Sequence, residues 1–136
     1  MGSVKSHLTL EGGRVLVAED DPILCELICE ILVELGAHAD GVHSGDAALA
    51  RFVERQHAKE NYDAVIVDLR LPTLSGTDTL AQLRRLNDQI LLVAISGSPP
   101  NPEMRLALEK NRIAFLPKPF GLTGLAAVFN RPHLNG

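Results

Sequence analysis

Three hydrophobic runs constrain this chain most, because each is too short for a helix and each is halted by a polar group. VLVA at 15–18 stops on Glu19, AVIV at 64–67 stops on Asp68, and ILLVAI at 90–95 stops on Ser96. Runs of this length without alternation read as strands buried on both faces. Two weaker runs, AHADGV at 37–42 and IAFL at 113–116, make five, and the last ends just before Lys118.

Helical patterns fill the intervals. From Pro22 the apolar positions Ile23, Leu24, Leu27, Ile28, Ile31, Leu32 and Leu35 recur at helical spacing. Pro22 suits the first turn and Gly36 the C-terminal stop. Ser44 is placed to cap a second helix carrying Ala47, Ala48, Leu49, Phe52 and Val53. SGTD at 75–78 reads as a capping box that opens a third through Leu80, Leu83 and Leu86. Asn101-Pro102 starts a fourth, closing near Asn111, and Thr123 is expected to cap a short fifth that cannot persist past Pro132. Five strand-helix units in succession predict a parallel α/β sheet with helices on both faces, since parallel strands require crossovers. Ligands of such sheets bind beyond the carboxyl ends of the strands. Glu19, Asp20 and Asp21, then Asp68, Ser96 and Lys118, all fall on that edge.

Composition narrows the class. The 136 residues suffice for one core, and 46% hydrophobic with 22% charged residues describes a globular chain. A net charge of -4 with no basic tract argues against direct nucleic-acid binding. No apolar run approaches the roughly 18 residues of a membrane span, and the N-terminal MGSVKSHLTLEGG lacks the apolar core of a signal peptide. A cytoplasmic protein with no membrane partner is expected. Cys25 and Cys29, four apart in the first helix, read as small buried or half-buried thiols, because no histidine stands at ligand spacing from them.

Three adjacent carboxylates at a strand end repel one another unless a cation sits among them. Hard cations such as Mg²⁺ take a few carboxylate oxygens plus water and substrate phosphate. Asp68 is then placed as a nucleophile able to carry a phosphoryl group, Lys118 as the fixed cation that neutralises its oxygens, and Ser96 as a hydroxyl that can bond one of them.

The acidic pair in VAEDDP, the aspartate in VDLRLP, the hydroxyl residue in AISG and the lysine in LPKPF together resemble the receiver domain of two-component response regulators. The resemblance implies a flavodoxin-like doubly wound (βα)5 fold with strand order 2-1-3-4-5. It implies Asp68 as the phosphoacceptor, Lys118 and Ser96 as its partners, and Ser96 and Phe115 as switch residues. A metal site of Glu19, Asp20, Asp68 and the backbone carbonyl of Arg70 would take Mg²⁺, or Mn²⁺. Asp21, one place beyond the acidic pair and just before Pro22, is assigned to the helix N-cap instead.

The domain reading is a flexible extension at 1–13, a receiver at 14–130 and a short tail at 131–136. The expected function is a stand-alone receiver, a signalling domain rather than an enzyme. It would be phosphorylated by a sensor histidine kinase or histidine phosphotransferase, and would act by binding an output protein or by relaying the phosphoryl group. The alternatives are the receiver of a hybrid histidine kinase and an aspartate-phosphoryl hydrolase. The hydrolase is disfavoured because Arg70 stands where such enzymes use a second acid.

Departures from the family carry expectations of their own. Arg70 is long enough to pair with Glu19 or to meet an attacking water. GSPPNP after Ser96 should form a stiff loop. A short final helix containing Gly121 and Gly124 predicts a monomer or weak dimer, with Met104 to Asn111 as the partner surface.

Overall fold

Arg14–Ala18 (β1), Ala64–Asp68 (β3) and Leu91–Ser96 (β4) are the central strands that the apolar runs demand. The computed structural model describes residues 10–130, so the expectations for residues 1–9 and 131–136, including the Pro132 stop, lie outside the described residues. His38–Val42 (β2) and Ala114–Pro117 (β5) complete a five-stranded sheet in the order β2-β1-β3-β4-β5. Every pairing is parallel. The helices are Pro22–Glu34 (α1), Gly45–His57 (α2), Gly76–Leu86 (α3), Pro102–Lys110 (α4) and Gly121–Phe129 (α5).

Alternation along each strand divides the core into two layers. Val15, Val17, Ile66, Val93 and Ile95 face one way, onto Cys25, Ile28 and Leu32 of α1 and Leu125 and Phe129 of α5. Leu16, Ala18, Val65, Val67, Leu92 and Ala94 face the other, onto Phe52 of α2, Leu80 and Leu83 of α3, and Leu108 of α4. The register pairs Ala18 with Val42 and Val67, Asp68 with Ile95, and Ser96 with Pro117. The polar groups that halt the strands are thereby brought to one edge.

Local chemistry explains most boundaries and corrects three. Asp21 caps α1, its Oδ1 accepting from the Ile23 N–H at 3.0 Å and the Leu24 N–H at 3.4 Å, as expected. Ser44 caps α2 as expected, and Asn101, at the expected start of α4, caps that helix by accepting from the Met104 N–H. Ser75 accepts from the Asp78 N–H at 3.1 Å, but the return hydrogen bond of a capping box is not formed among the described residues. Aspartate is one methylene shorter than the glutamate that such a box needs.

Thr123 does not cap α5. The helix begins at Gly121, whose φ of +63° suits glycine, and it has no side-chain cap, so Thr123 lies inside it. β5 is shifted by one residue from its expected start. The Ile113 N–H is taken by Leu108 O in the turn from α4, and pairing continues instead to Pro117.

Cys25 is buried and Cys29 half-buried, both free, as expected of packing thiols. A Cβ on Gly41 of β2 would lie 2.7 Å from Cys25 Sγ, so this glycine lets α1 approach the edge strand. Burial and the neighbouring Cys25 push the Cys29 thiol up to about 12, which keeps it protonated and inert.

Candidate functional site at the carboxyl edge of the sheet

The ends of β1 and β3 place Glu19, Asp20 and Asp68 so that one ligand atom from each lies within 4.8 Å of the others. Glu19 is 1% exposed and Asp68 4% exposed, whereas Asp20 faces solvent. From the end of β5, Lys118 reaches both buried acids, with Nζ 2.9 Å from Glu19 Oε1 and 3.0 Å from Asp68 Oδ2. Only the second contact has hydrogen-bond geometry. Glu19 Oε1 is a buried oxygen whose near polar partner among the described residues is this ammonium, which meets it as an ion pair rather than in hydrogen-bond alignment. Glu19 Oε2 accepts from the Asp21 N–H at 3.2 Å, and Asp68 Oδ1 accepts from the Arg70 N–H at 2.9 Å.

The charge balance follows from burial. Desolvation is the largest influence on Glu19, and with the adjacent Asp68 it raises the carboxyl from 4.5 to about 7 against the opposing pull of Lys118 and the Asp21 N–H. Burial alone would lower the Lys118 ammonium, but the nearby carboxylates of Glu19 and Asp68 outweigh that and raise it. One half-buried cation therefore serves two buried acids with a third carboxylate at the rim. A divalent cation fits this donor set: hard carboxylate oxygens of three residues converge, two of them buried, with one ammonium among them.

A pH dependence follows. Because the folded-state value of Glu19 lies above the unfolded one, the folded chain binds more protons between them. Its stability therefore falls as pH rises from about 4.5 to about 7, by on the order of 3 kcal/mol from this group. Urea unfolding without divalent ions at pH 5 and pH 7.5 should show this difference, and Glu19→Gln should flatten it.

Ser96 and the loop beyond it close the site from the β4 side. The Ser96 carbonyl accepts from the Lys118 N–H at 2.8 Å, fixing the start of the lysine loop, and Ser96 Oγ accepts from the Ser98 N–H at 3.3 Å. The Arg70 guanidinium does not pair with Glu19, a correction to the sequence expectation. It donates to the Ser98 hydroxyl, bridging the loops after β3 and β4 on the exposed side, while Glu19 is met from within by Lys118. Phe115, opposite Ala94 in the register, is half-buried against the layer of α2 and α3.

Sequence reasoning missed three contributors. Ser98 carries no signal beyond its loop. His43 Nδ1 lies 3.0 Å from Glu19 O, a contact across two strands that spacing does not reveal. Gly76 was read only as part of a cap, yet a Cβ there would stand 2.1 Å from Asp68 O and 2.5 Å from Leu69 Cα. Glycine is what allows α3 to start against the backbone of Asp68.

The division of the acidic triplet gives a second expected result. Asp21→Ala should cost about 1 kcal/mol by loss of the cap and leave Mg²⁺ affinity intact, whereas Asp20→Ala should weaken Mg²⁺ binding. Calorimetric titration beside thermal unfolding of both variants checks it, and equal Mg²⁺ affinities would reverse the division.

Comparison with known proteins agrees with this geometry. The family model "Response regulator receiver domain" matches residues 15–130. The alkaline phosphatase synthesis transcriptional regulatory protein SphR of Synechococcus elongatus is 30% identical over 118 residues, covering 84% of this chain and 46% of that protein. The transcriptional regulatory protein TcrA of Mycobacterium tuberculosis is 30% identical, covering 87% of this chain and 45% of that protein. The chain thus spans about half the length of the curated relatives it matches. Among solved structures, a receiver domain protein from Clostridium thermocellum superposes with a TM-score of 0.78 at 23% identity, covering 86% of this chain and 90% of that one. A CheY-like receiver domain from Methylobacillus flagellatus does so with a TM-score of 0.70 at 32% identity, covering 87% and 96%. With the family model spanning most of the sequence and the strand order the fold requires, this chain belongs to the response regulator receiver domain family.

Proposed function

We propose that the chain accepts a phosphoryl group on Asp68 from the phosphohistidine of a sensor kinase or histidine phosphotransferase, in the cytoplasm. The observation that carries this reading is the placement of one ammonium, Lys118, within 3.0 Å of both Asp68 and Glu19, with Asp20 at the rim of the same cluster.

Transfer forms a bond from an Asp68 carboxylate oxygen to phosphorus as the phosphorus–nitrogen bond of the donor breaks. The departing imidazole takes up a proton. Glu19, Asp20, Asp68 and the carbonyl of Arg70 would hold Mg²⁺, or Mn²⁺, which supplies charge neutralisation for the transferring oxygens. Lys118 balances the buried carboxylates before transfer and shifts its hydrogen bond to a phosphoryl oxygen afterwards, remaining within reach of both. The Arg70 N–H orients Asp68 by holding Oδ1. Ser96 Oγ, engaged among the described residues by the Ser98 N–H, is free to exchange that bond for a phosphoryl oxygen. Its movement would propagate through the loop at 97–101 to α4 and through β5 to Phe115, so that an output protein or a further histidine domain distinguishes the two states.

Beryllofluoride with Mg²⁺, a stand-in for the phosphoryl group, tests this by amide NMR. Shifts around Asp68 should appear in wild type and in Ser96→Ala alike, whereas those in α4 and β5 should appear only in wild type. Identical shifts in both proteins would remove the switch role of Ser96, and none in either would remove Asp68 as the acceptor.

A further inference from the structure

The edge strand β2 adds a polar group of its own to the carboxyl edge. Val42 ends the strand and His43 follows it, exposed, with ring Nδ1 3.0 Å from Glu19 O. A carbonyl oxygen only accepts, so Nδ1 carries the proton and donates. In the neutral ring the proton is then absent from Nε2. No main-chain N–H reaches Glu19 O among the described residues, so the imidazole is what satisfies it.

That carbonyl belongs to the peptide joining the two acids at the end of β1. Glu19 is held in further ways: its N–H donates to Val42 O at 3.0 Å, its Oε2 accepts from the Asp21 N–H at 3.2 Å, and its side chain is buried beside Lys118. Asp20 is exposed, so packing does not hold its side chain. The direction of its carboxylate depends on the backbone that carries it. With the Glu19 N–H and C=O both tied to the end of β2, the planar Glu19–Asp20 peptide cannot turn freely.

The support behind His43 is firm on both sides. Val42 is paired with Ala18 in the register, and Ser44 Oγ accepts from the Ala47 N–H at 3.1 Å to start α2. Gly45 lies so close to α3 that a Cβ there would collide with Thr79 Oγ1. His43 thus stands between a paired strand and a docked helix end.

We propose that His43 is a positioning residue for the divalent-cation site, its Nδ1–H holding the Glu19–Asp20 peptide so that Asp20 is presented to the ion. The role rests on the metal-assisted acceptor reading above, and His43 touches neither the ion nor the phosphoryl group. A turn set in advance spares the ion the cost of ordering it. The bond should therefore show in Mg²⁺ affinity and not in the rate of phosphoryl transfer once Mg²⁺ saturates.

Mg²⁺ titration of the full chain, followed by amide NMR, tests this with two variants at an exposed position that should not prevent folding. His43→Leu keeps the bulk and loses the donor, and its affinity should fall about fivefold, the worth of one ordinary hydrogen bond. His43→Asn sets an amide N–H near the place of Nδ1–H and should bind within about twofold of wild type. At saturating Mg²⁺ a small-molecule phosphodonor should label all three proteins at like rates. In wild type the imidazole ¹⁵N shifts of the neutral ring should place the proton on Nδ1. Wild-type affinity in His43→Leu, equal weakening in both variants, slow labelling of His43→Leu under saturating Mg²⁺, or the proton on Nε2 would overturn the role of His43. A wild type that binds Mg²⁺ with the expected pattern and gains no label would defeat the acceptor reading and leave His43 in place. One that binds no Mg²⁺ would defeat both.

Discussion

Lys118→Ala is expected to lose about 3 kcal/mol of stability at pH 8, and to recover most of it either at pH 5.5 or on addition of Mg²⁺. Glu19 and Asp68 are both buried and share this one ammonium, so its removal leaves two anions in low dielectric beside a third at the rim. Removing one partner from a buried ion pair is costly because the other remains charged and desolvated. At pH 5.5 Glu19, already raised to about 7 in the presence of the lysine, takes up a proton and the repulsion falls. A divalent cation would restore the missing charge by another route. Urea midpoints for wild type and variant at both pH values, with and without Mg²⁺, give the four comparisons needed. A loss equal at both pH values and indifferent to Mg²⁺ would locate the contribution of Lys118 in the packing of its aliphatic stem rather than in its charge.

The same residues show why so much of this fold was legible in the sequence. β1, β3 and β4 are central and covered on both faces, so burial wrote continuous apolar runs into them and a polar group wherever the edge was reached. β2 was faint because it is an edge strand with only Val42 buried. The start of α5 was misread because its entry depends on the backbone of Gly121 rather than on a capping side chain, and Thr123 offered a plausible cap that the chain does not use.

The site was legible for a related reason: strand ends in a parallel sheet converge, so residues far apart in sequence could be placed on one edge from topology alone. Contacts set by the third dimension were not legible. Nothing in LRRL distinguishes the buried Arg84 from the exposed Arg85. Nothing in VDLRLP says that Arg70 turns to Ser98 rather than to Glu19, and the close approach of Gly76 to Asp68 O exists only once α3 is docked.

The proposed role of Asp68 is to accept a phosphoryl group, served by Lys118 and a divalent cation. Intact-mass measurement after incubation with a small-molecule phosphodonor and Mg²⁺ tests it most directly. Wild type should gain the mass of one phosphoryl group, none in the presence of chelator, and Asp68→Asn should gain nothing, because its amide oxygen is a poor nucleophile in the same position. Asp68→Asn also keeps nearly the same shape, so a folded variant without label isolates the chemistry from the fold. Labelling that survives in Asp68→Asn, or that proceeds unchanged under chelation, would contradict the assignment.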